Sequence, residues 1–329
     1  MHRIFWKAVC AVIVCMAFAL PVFAADFNFK FAHSQPATSV RHKSMEFFKD
    51  KLEKATNGRI TVELFAASAL GNESEVMDMV KMGTVQGTRG GAFAKANKKF
   101  LIYTLPFLFE NTDSVLKAMR SGIGMEIAKG SEAAGYYIPA TGVAGGFRQF
   151  TNSKKPINAP EDAAGLKMRT PPIETIVKTM QALGASPQSI PYGETYMALK
   201  MGVVDGQENP PSNTVEMKFY ETQKYLSIVN YQIHPDAFFV NLKWYQSLPS
   251  DLKTAFDKAA KEAMEWSDTH WLASESGYLE TLKKNMTVNT ISSENRAKFV
   301  AKVKPVWDFY VKDGTFTDAE IQSLIKAGK

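Results

Sequence analysis

Residues 27–33, FNFKFAH, alternate Phe27, Phe29 and Phe31 with other positions, which is the period of a half-buried strand. Val40, Met45, Phe48 and Leu52 then fall on one side of a helix that Thr38 would cap and that Asn57-Gly58 stops after about Ala55. Residues 60–65, ITVELF, alternate again, so strand, helix and strand follow within under 40 residues and predict a parallel βαβ unit. Glu73–Met82 reads as a methionine-rich helix whose thioethers fill core gaps. VQGTRGG at 85–91 predicts a short strand running into a glycine turn. The apolar stretch 100–109, broken by Pro106, predicts burial, and Thr112–Lys129 predicts one helix.

Further along, 135–146 reads as a strand leaving into glycines, and 166–170 as a strand stopped by Pro171-Pro172. A helix over 173–183 ends at Gly184, a short strand lies in 186–193, and a helix covers 194–201. MGVVDGQENP then reads as a loop, with strands at 225–229 and 237–241. Residues 250–285 are continuous helix-compatible sequence and 293–311 form another helix. Strands early and long helices late predict an α/β body braced from its C-terminal end. No Pro/Gly-rich linker divides the chain, which favours two lobes with several crossings over separate beads.

The N-terminus alters the reading of composition. His2, Arg3 and Lys7 precede an apolar run over 8–25 that ends in Val22-Phe23-Ala24, the pattern of a secretory signal cut after Ala24. An uncleaved anchor is the other reading, and Pro21 before the cleavage box favours processing. Removal of the first 24 of 329 residues leaves 305 with no cysteine, because Cys10 and Cys15 both lie in the signal. That excludes cysteine-ligated metals, a cysteine nucleophile and internal disulfides beyond Cys15, and suits an oxidising compartment. The formal charge falls from +6 to +4. Basic residues alternate with acids along solvated helix faces, as in KDKLEK at 49–54, so nucleic acid is a poor partner.

Catalytic and cofactor motifs are missing from the sequence: no P-loop, HExxH, Gly-x-Ser-x-Gly or GxGxxG occurs. His33, His42, His234 and His270 are scattered without ligand spacing, and Glu161-Asp162 sits in a turn between Pro160 and Gly165. No cofactor and no metal is expected. Arg169 lies at the C-terminal end of a predicted strand, where open α/β sheets bind ligands and where a guanidinium presents a fork of donors to a carboxylate. Arg148 also follows a strand and glycines, and the Asn209 amide can both donate and accept. Any one such arginine also reads as a surface ion pair; the grouping within 146–213 raises the functional reading.

That segment carries a resemblance. GFRQFTNSKKPI, PEDAAGLKMRTPP, LGASPQSIPYGETYMALKMGVVDGQENP and FYETQKYLS resemble the solute-binding subunits of tripartite ATP-independent periplasmic (TRAP) transporters, the DctP-type family. FKFAH, NGRITVELFAASALGNESEVMDMVKMGTV, LPFLF and WYQSLPSDLK agree too, so the resemblance covers nearly the whole chain after the signal. It implies an α/β two-lobe periplasmic-binding-protein (Venus flytrap) fold with long C-terminal helices, 250–285 spanning both lobes. The expected division is 25–145 mainly in the first lobe with a crossover strand from about 225–249, 146–224 mainly in the second, and 250–329 bracing both. The resemblance further implies a two-pronged bridge from Arg169 to a ligand carboxylate. Arg148 and Asn209 would be cleft partners, Tyr192 an aromatic packing on ligand, and Asp236 a polar group closing the cleft. Two departures stand out. Pro172 occupies a site where some relatives place a ligand-binding Asn, and TRGG at 88–91 makes Arg89 a candidate extra cation in the cleft.

The expected function is capture of a small organic anion in the periplasm and its delivery to the TRAP membrane permease subunits, without catalysis. Two or three arginines suggest a ligand richer in acceptors than one simple carboxylate: a dicarboxylate, a hydroxy or oxo acid, a sulfonate or a phosphate ester. A ligand-sensing module for a membrane receptor and a periplasmic enzyme are the alternatives; fold alone does not separate them.

Overall fold

A computed structural model describes residues 25–329; the expected signal segment 1–24 lies outside the described residues. β1 (Phe27–Ala32) and β2 (Ile60–Phe65) pair in parallel, Phe27 opposite Ile60, with α1 (Val40–Ala55) between them in sequence, as the βαβ pattern requires. Ser39 rather than Thr38 caps α1, its side chain accepting from the His42 amide at 3.1 Å. α2 (Glu73–Met82) opens on an Asn72/Glu75 capping box. β3 (Gly87–Thr88) adds in parallel to β1. A Cβ at Gly87 would lie 2.4 Å from the Phe29 ring, so only glycine lets this strand pack here.

The stretch from Phe100 to Phe109 is buried apart from half-buried Phe107. The single helix expected over 112–129 is two: α3 (Thr112–Arg120) and α4 (Gly122–Lys129). Ser121 is extended at ψ 171, ends the first and caps the second. A serine followed by glycine has weak helix propensity, and its hydroxyl competes for the backbone.

β4 (Tyr136–Tyr137) is short, and β5 (Thr141–Asn152) runs straight through the glycines where the sequence suggested an end. The glycines mark a bulge instead: Gly145 has φ 84, and the register against the neighbouring strand slips between Val143 and Phe147. β6 (Lys167–Thr170), α5 (Glu174–Ala182), β7 (Ser186–Ser189) and α6 (Thr195–Lys200) fall within a few residues of expectation. β8 (Gly206–Asn209) does not: GQEN reads as a loop because its four residues are apolar nowhere, yet all four are buried. α7 (Pro211–Glu216) follows. The two strands expected at 225–229 and 237–241 are one long strand, β9 (Tyr225–Ala237), and a short successor, β10 (Phe239–Asn241). α8 (Leu242–Ser247), α9 (Ser250–Asn285), β11 (Thr287–Thr290), α10 (Ser293–Lys312) and α11 (Asp318–Ala327) complete the chain.

The strands form two sheets, β2-β1-β3-β10-β4 and β11-β9-β5-β8-β6-β7, each at the heart of one lobe. The chain leaves the first sheet between β4 and β5 and returns between β9 and β10, and β5 and β9 pair antiparallel from Thr141–Ala237 to Asn152–Tyr225. The crossover expected at 225–249 is therefore mostly second-sheet strand, with only β10 in the first sheet. α9 spans both lobes. Its Phe256, Ala260 and Ala263 join the aromatic cluster of Phe29, Phe31, Phe48 and Phe238, while Leu282 packs with Leu226 on β9. Among the described residues no helix is long and apolar enough to cross a membrane.

β8 is pressed tightly against β5: a Cβ at Gly206 would meet the Thr151 carbonyl oxygen at 2.2 Å. Gly206→Ala is expected to cost about 1–3 kcal/mol through overpacking against backbone that cannot move aside, read as a lower urea midpoint with unchanged slope.

Candidate functional site

A narrow cavity of about 30 Å³, partly open to solvent, lies between the two lobes. Arg169 enters it from β6. The parallel neighbours β7 and β8 fix its backbone, and Pro171 follows where the strand ends. Its Nε and Nη2 both donate to the Ile190 carbonyl, at 2.9 and 2.6 Å. This clamp holds the guanidinium in one orientation. It is 1% exposed and has no ion-pair partner among the described residues. Burial pulls its pKa down to about 10, which still leaves it charged at neutral pH.

Arg148, on β5, has already found its counterion. It donates from Nη2 to Glu208 Oε1 at 2.8 Å and to the Glu208 carbonyl at 2.6 Å, and from Nε to the other carboxylate oxygen. Tyr231 Oη donates to the same carboxylate. Burial alone would lower the Arg148 pKa, and Glu208 reverses this. Arg148 Nη1 donates to His234 Nδ1 at 3.4 Å, so the neutral imidazole carries its proton on Nε2. Burial and the neighbouring arginines keep His234 neutral, its pKa well below the ordinary range. Asn209 is the last residue of β8, not a loop residue. Its Nδ2 donates to Gln207, and its Oδ1 accepts from Asn213 at 3.1 Å. Tyr192 lines the same cavity with a buried hydroxyl that has no partner. Burial raises its pKa, so it is a phenol and can donate.

Arg89 and Asp236 stand apart. Arg89 is fully buried and does not line this cavity, in contrast to the expectation of an extra cleft cation. It donates from Nε and Nη2 to Asp236 at 3.3 and 2.6 Å and from Nη1 to Ser44 at 2.5 Å, and it sits 5.2 Å from the Phe238 ring. Asp236 also accepts from Arg41 Nη2 at 3.2 Å. Burial would raise the Asp236 pKa, but Arg41 and Arg89 together hold it below the usual carboxylate range.

The sequence reading missed Arg41, Glu73 and Glu208. Arg41 had a visible signal: it precedes Met45, Phe48 and Leu52 by 4, 7 and 11 residues and so lies on the buried stripe of α1. A charge on an apolar stripe needs a partner or a purpose. Glu208 had none, because β8 shows no alternation. Among the described residues no group of three or more His, Asp or Glu is arranged to hold a metal ion.

Two α/β lobes joined by crossing strands, with a polar cavity between them and a clamped cation in its wall, define a solute-binding protein. The chain belongs to the DctP family, bacterial extracellular solute-binding protein, family 7, whose profile matches residues 31–313. It is 30% identical over 316 residues to the C4-dicarboxylate-binding periplasmic protein DctP of Rhodobacter capsulatus, covering 93% of each chain. Among solved structures it resembles a TRAP periplasmic solute-binding protein of a Polaromonas species bound to D-erythronate (29% identity, TM-score 0.86, 91% of this chain and 98% of that one). It also resembles one from Sulfurospirillum deleyianum with bound succinate (27% identity, TM-score 0.87, 93% and 100%).

Asp236→Asn would leave two buried guanidiniums sharing a neutral amide. It is expected to cost about 3–5 kcal/mol in urea unfolding. Because the folded pKa of Asp236 lies below its unfolded value, its contribution is intact above about pH 4 and is lost as pH falls through the lower folded value. The variant should lack that part of the acid destabilisation.

Proposed function

We propose that this chain captures a small organic anion between its lobes in the periplasm and presents it to the membrane permease of a TRAP transporter. The observation that carries the reading is Arg169: a buried, oriented guanidinium with no carboxylate of its own, facing a polar cavity. A ligand carboxylate supplies the missing counterion. Hydrogen bonds to a charged group contribute about 1.5–3 kcal/mol each, and the fork geometry selects a planar acceptor. The unpartnered Tyr192 hydroxyl adds a donor, Asn209 and Arg148 complete the second-lobe wall, and Asp236 orders the lobe interface from behind rather than touching the ligand.

The relatives' ligands support an organic acid: succinate and D-erythronate in two solved structures, C4-dicarboxylates in the name of a third protein. Binding is coupled to closure. The lobes meet through the β4–β5 and β9–β10 passages, and the ligand stabilises the closed form by contacting both walls at once. The protein works by binding alone in this reading, and the permease does the transport.

Arg169→Ala should abolish anion binding in calorimetry while the circular dichroism spectrum and cooperative unfolding persist; near-wild-type affinity would remove the reading. Tyr192→Phe should weaken the same ligand roughly 10-fold or more, the loss of about one hydrogen bond to a charged group, with little change in thermal stability of the free protein. A bound acid at about 100 times its dissociation constant should stabilise the fold by about 2.7 kcal/mol.

A further inference from the structure

Counting arginines overstates the positive charge that the site offers. Arg148 is answered by Glu208. Arg41 and Arg89 share Asp236. Arg169 has no carboxylate, but Glu73 lines the same cavity from the first residue of α2. Three of the four guanidiniums therefore have a carboxylate partner within the chain, two of them sharing one, and Arg169 has no ion-pair partner among the described residues. Glu216, on the far side of Arg41, adds further negative charge; it accepts from Tyr278 Oη at 2.9 Å.

Glu73 is placed to touch a ligand. Its one hydrogen-bond partner among the described residues is the Ser34 hydroxyl, 2.7 Å from Oε1. The carboxylate lies over Gly90 and Gly91, where a Cβ would come 2.9 Å from Oε1 and 3.0 Å from Oε2. The two glycines give it room at the cavity wall, and both line the cavity themselves. On the other walls, Tyr192 Oη, His234 Nε2 and Arg41 Nε are buried without partners. The site thus presents one anchoring cation, several free donors and one strong acceptor. A hydroxyl can serve both kinds of group, since it donates and accepts. A second carboxylate can only accept, and it would meet Glu73 as a like charge.

We propose that the cavity selects hydroxylated monocarboxylates over dicarboxylates, and that Glu73 is the residue that makes the distinction. This rests on the organic-anion reading above and narrows the expected ligand classes to hydroxy acids.

Matched pairs of equal carbon length test it: D-erythronate against succinate, and D-galactonate against galactarate, titrated by calorimetry into the whole protein. The wild-type protein should bind the monocarboxylate of a pair at least 10-fold tighter than its dicarboxylate. Glu73→Gln keeps an acceptor for Ser34 and removes the charge; it should shrink that ratio at least 5-fold, mainly by improved dicarboxylate binding, with unfolding unchanged. Arg169→Ala should lose both members of a pair alike. Equal or tighter dicarboxylate binding in both pairs would overturn the selectivity and leave the organic-anion reading standing, as would an unchanged ratio in Glu73→Gln. Binding of none of the four acids would overturn both.

Discussion

A charge cannot sit alone in a protein interior, and the bridge Arg41–Asp236–Arg89 is where this molecule meets that constraint. Asp236 lies near the end of β9, one residue before the chain turns back into the first sheet. Arg41 comes from α1, Arg89 from just beyond β3, and Ser267 of α9 contributes a contact at 3.3 Å to Arg89. Four elements that are remote in sequence are thereby fixed at one point between the lobes. The cost of burying three ions is offset only if all of them stay paired, so the bridge holds the geometry within narrow limits.

The same accounting sets Arg169 apart from the other buried arginines. Each of the other three buried arginines near the cavity is paired with a carboxylate of the chain, Arg41 and Arg89 with the same one. Arg169 is instead held by a carbonyl, which orients the guanidinium but carries no net charge. Burial lowers its pKa. In the proposed function, a carboxylate entering the cavity supplies the missing ion-pair partner.

Much of the scaffold was legible in the sequence where a strong period exists. α9 and β6 fall where their patterns place them, and Arg169 was found at a strand end through the rule for open sheets. What was not legible had physical causes. β8 is buried yet wholly polar, since its side chains serve a hydrogen-bond network rather than an apolar face. β5 passes through glycines that mark a bulge, which local reading takes for an end. β9 extends through polar residues that are buried because they build the site, so its alternation fails there. The direction of the Arg89 side chain depended on Asp236, 147 residues away, and no local pattern contains that partner. Arg41 was visible as a charge on an apolar stripe but lacked a reason until Asp236 was placed beside it.

The unpaired polar atoms in the cavity wall bear on how closure is driven. Tyr192 Oη, His234 Nε2 and Arg41 Nε are buried with no partner. A buried polar group without a hydrogen bond costs about 1–3 kcal/mol, so a closed, empty cavity is disfavoured by several such terms together. In an open cleft water satisfies these atoms. In the proposed function, a ligand able to accept from them removes the penalty from the closed form alone, and this difference shifts the equilibrium. Tyr192 stands on the second lobe and Arg41 on α1 of the first, so the relief is obtained only when both walls close on one molecule. Selectivity and closure then have a single origin: a ligand that leaves an atom of the wall unsatisfied both binds less tightly and closes the lobes less completely.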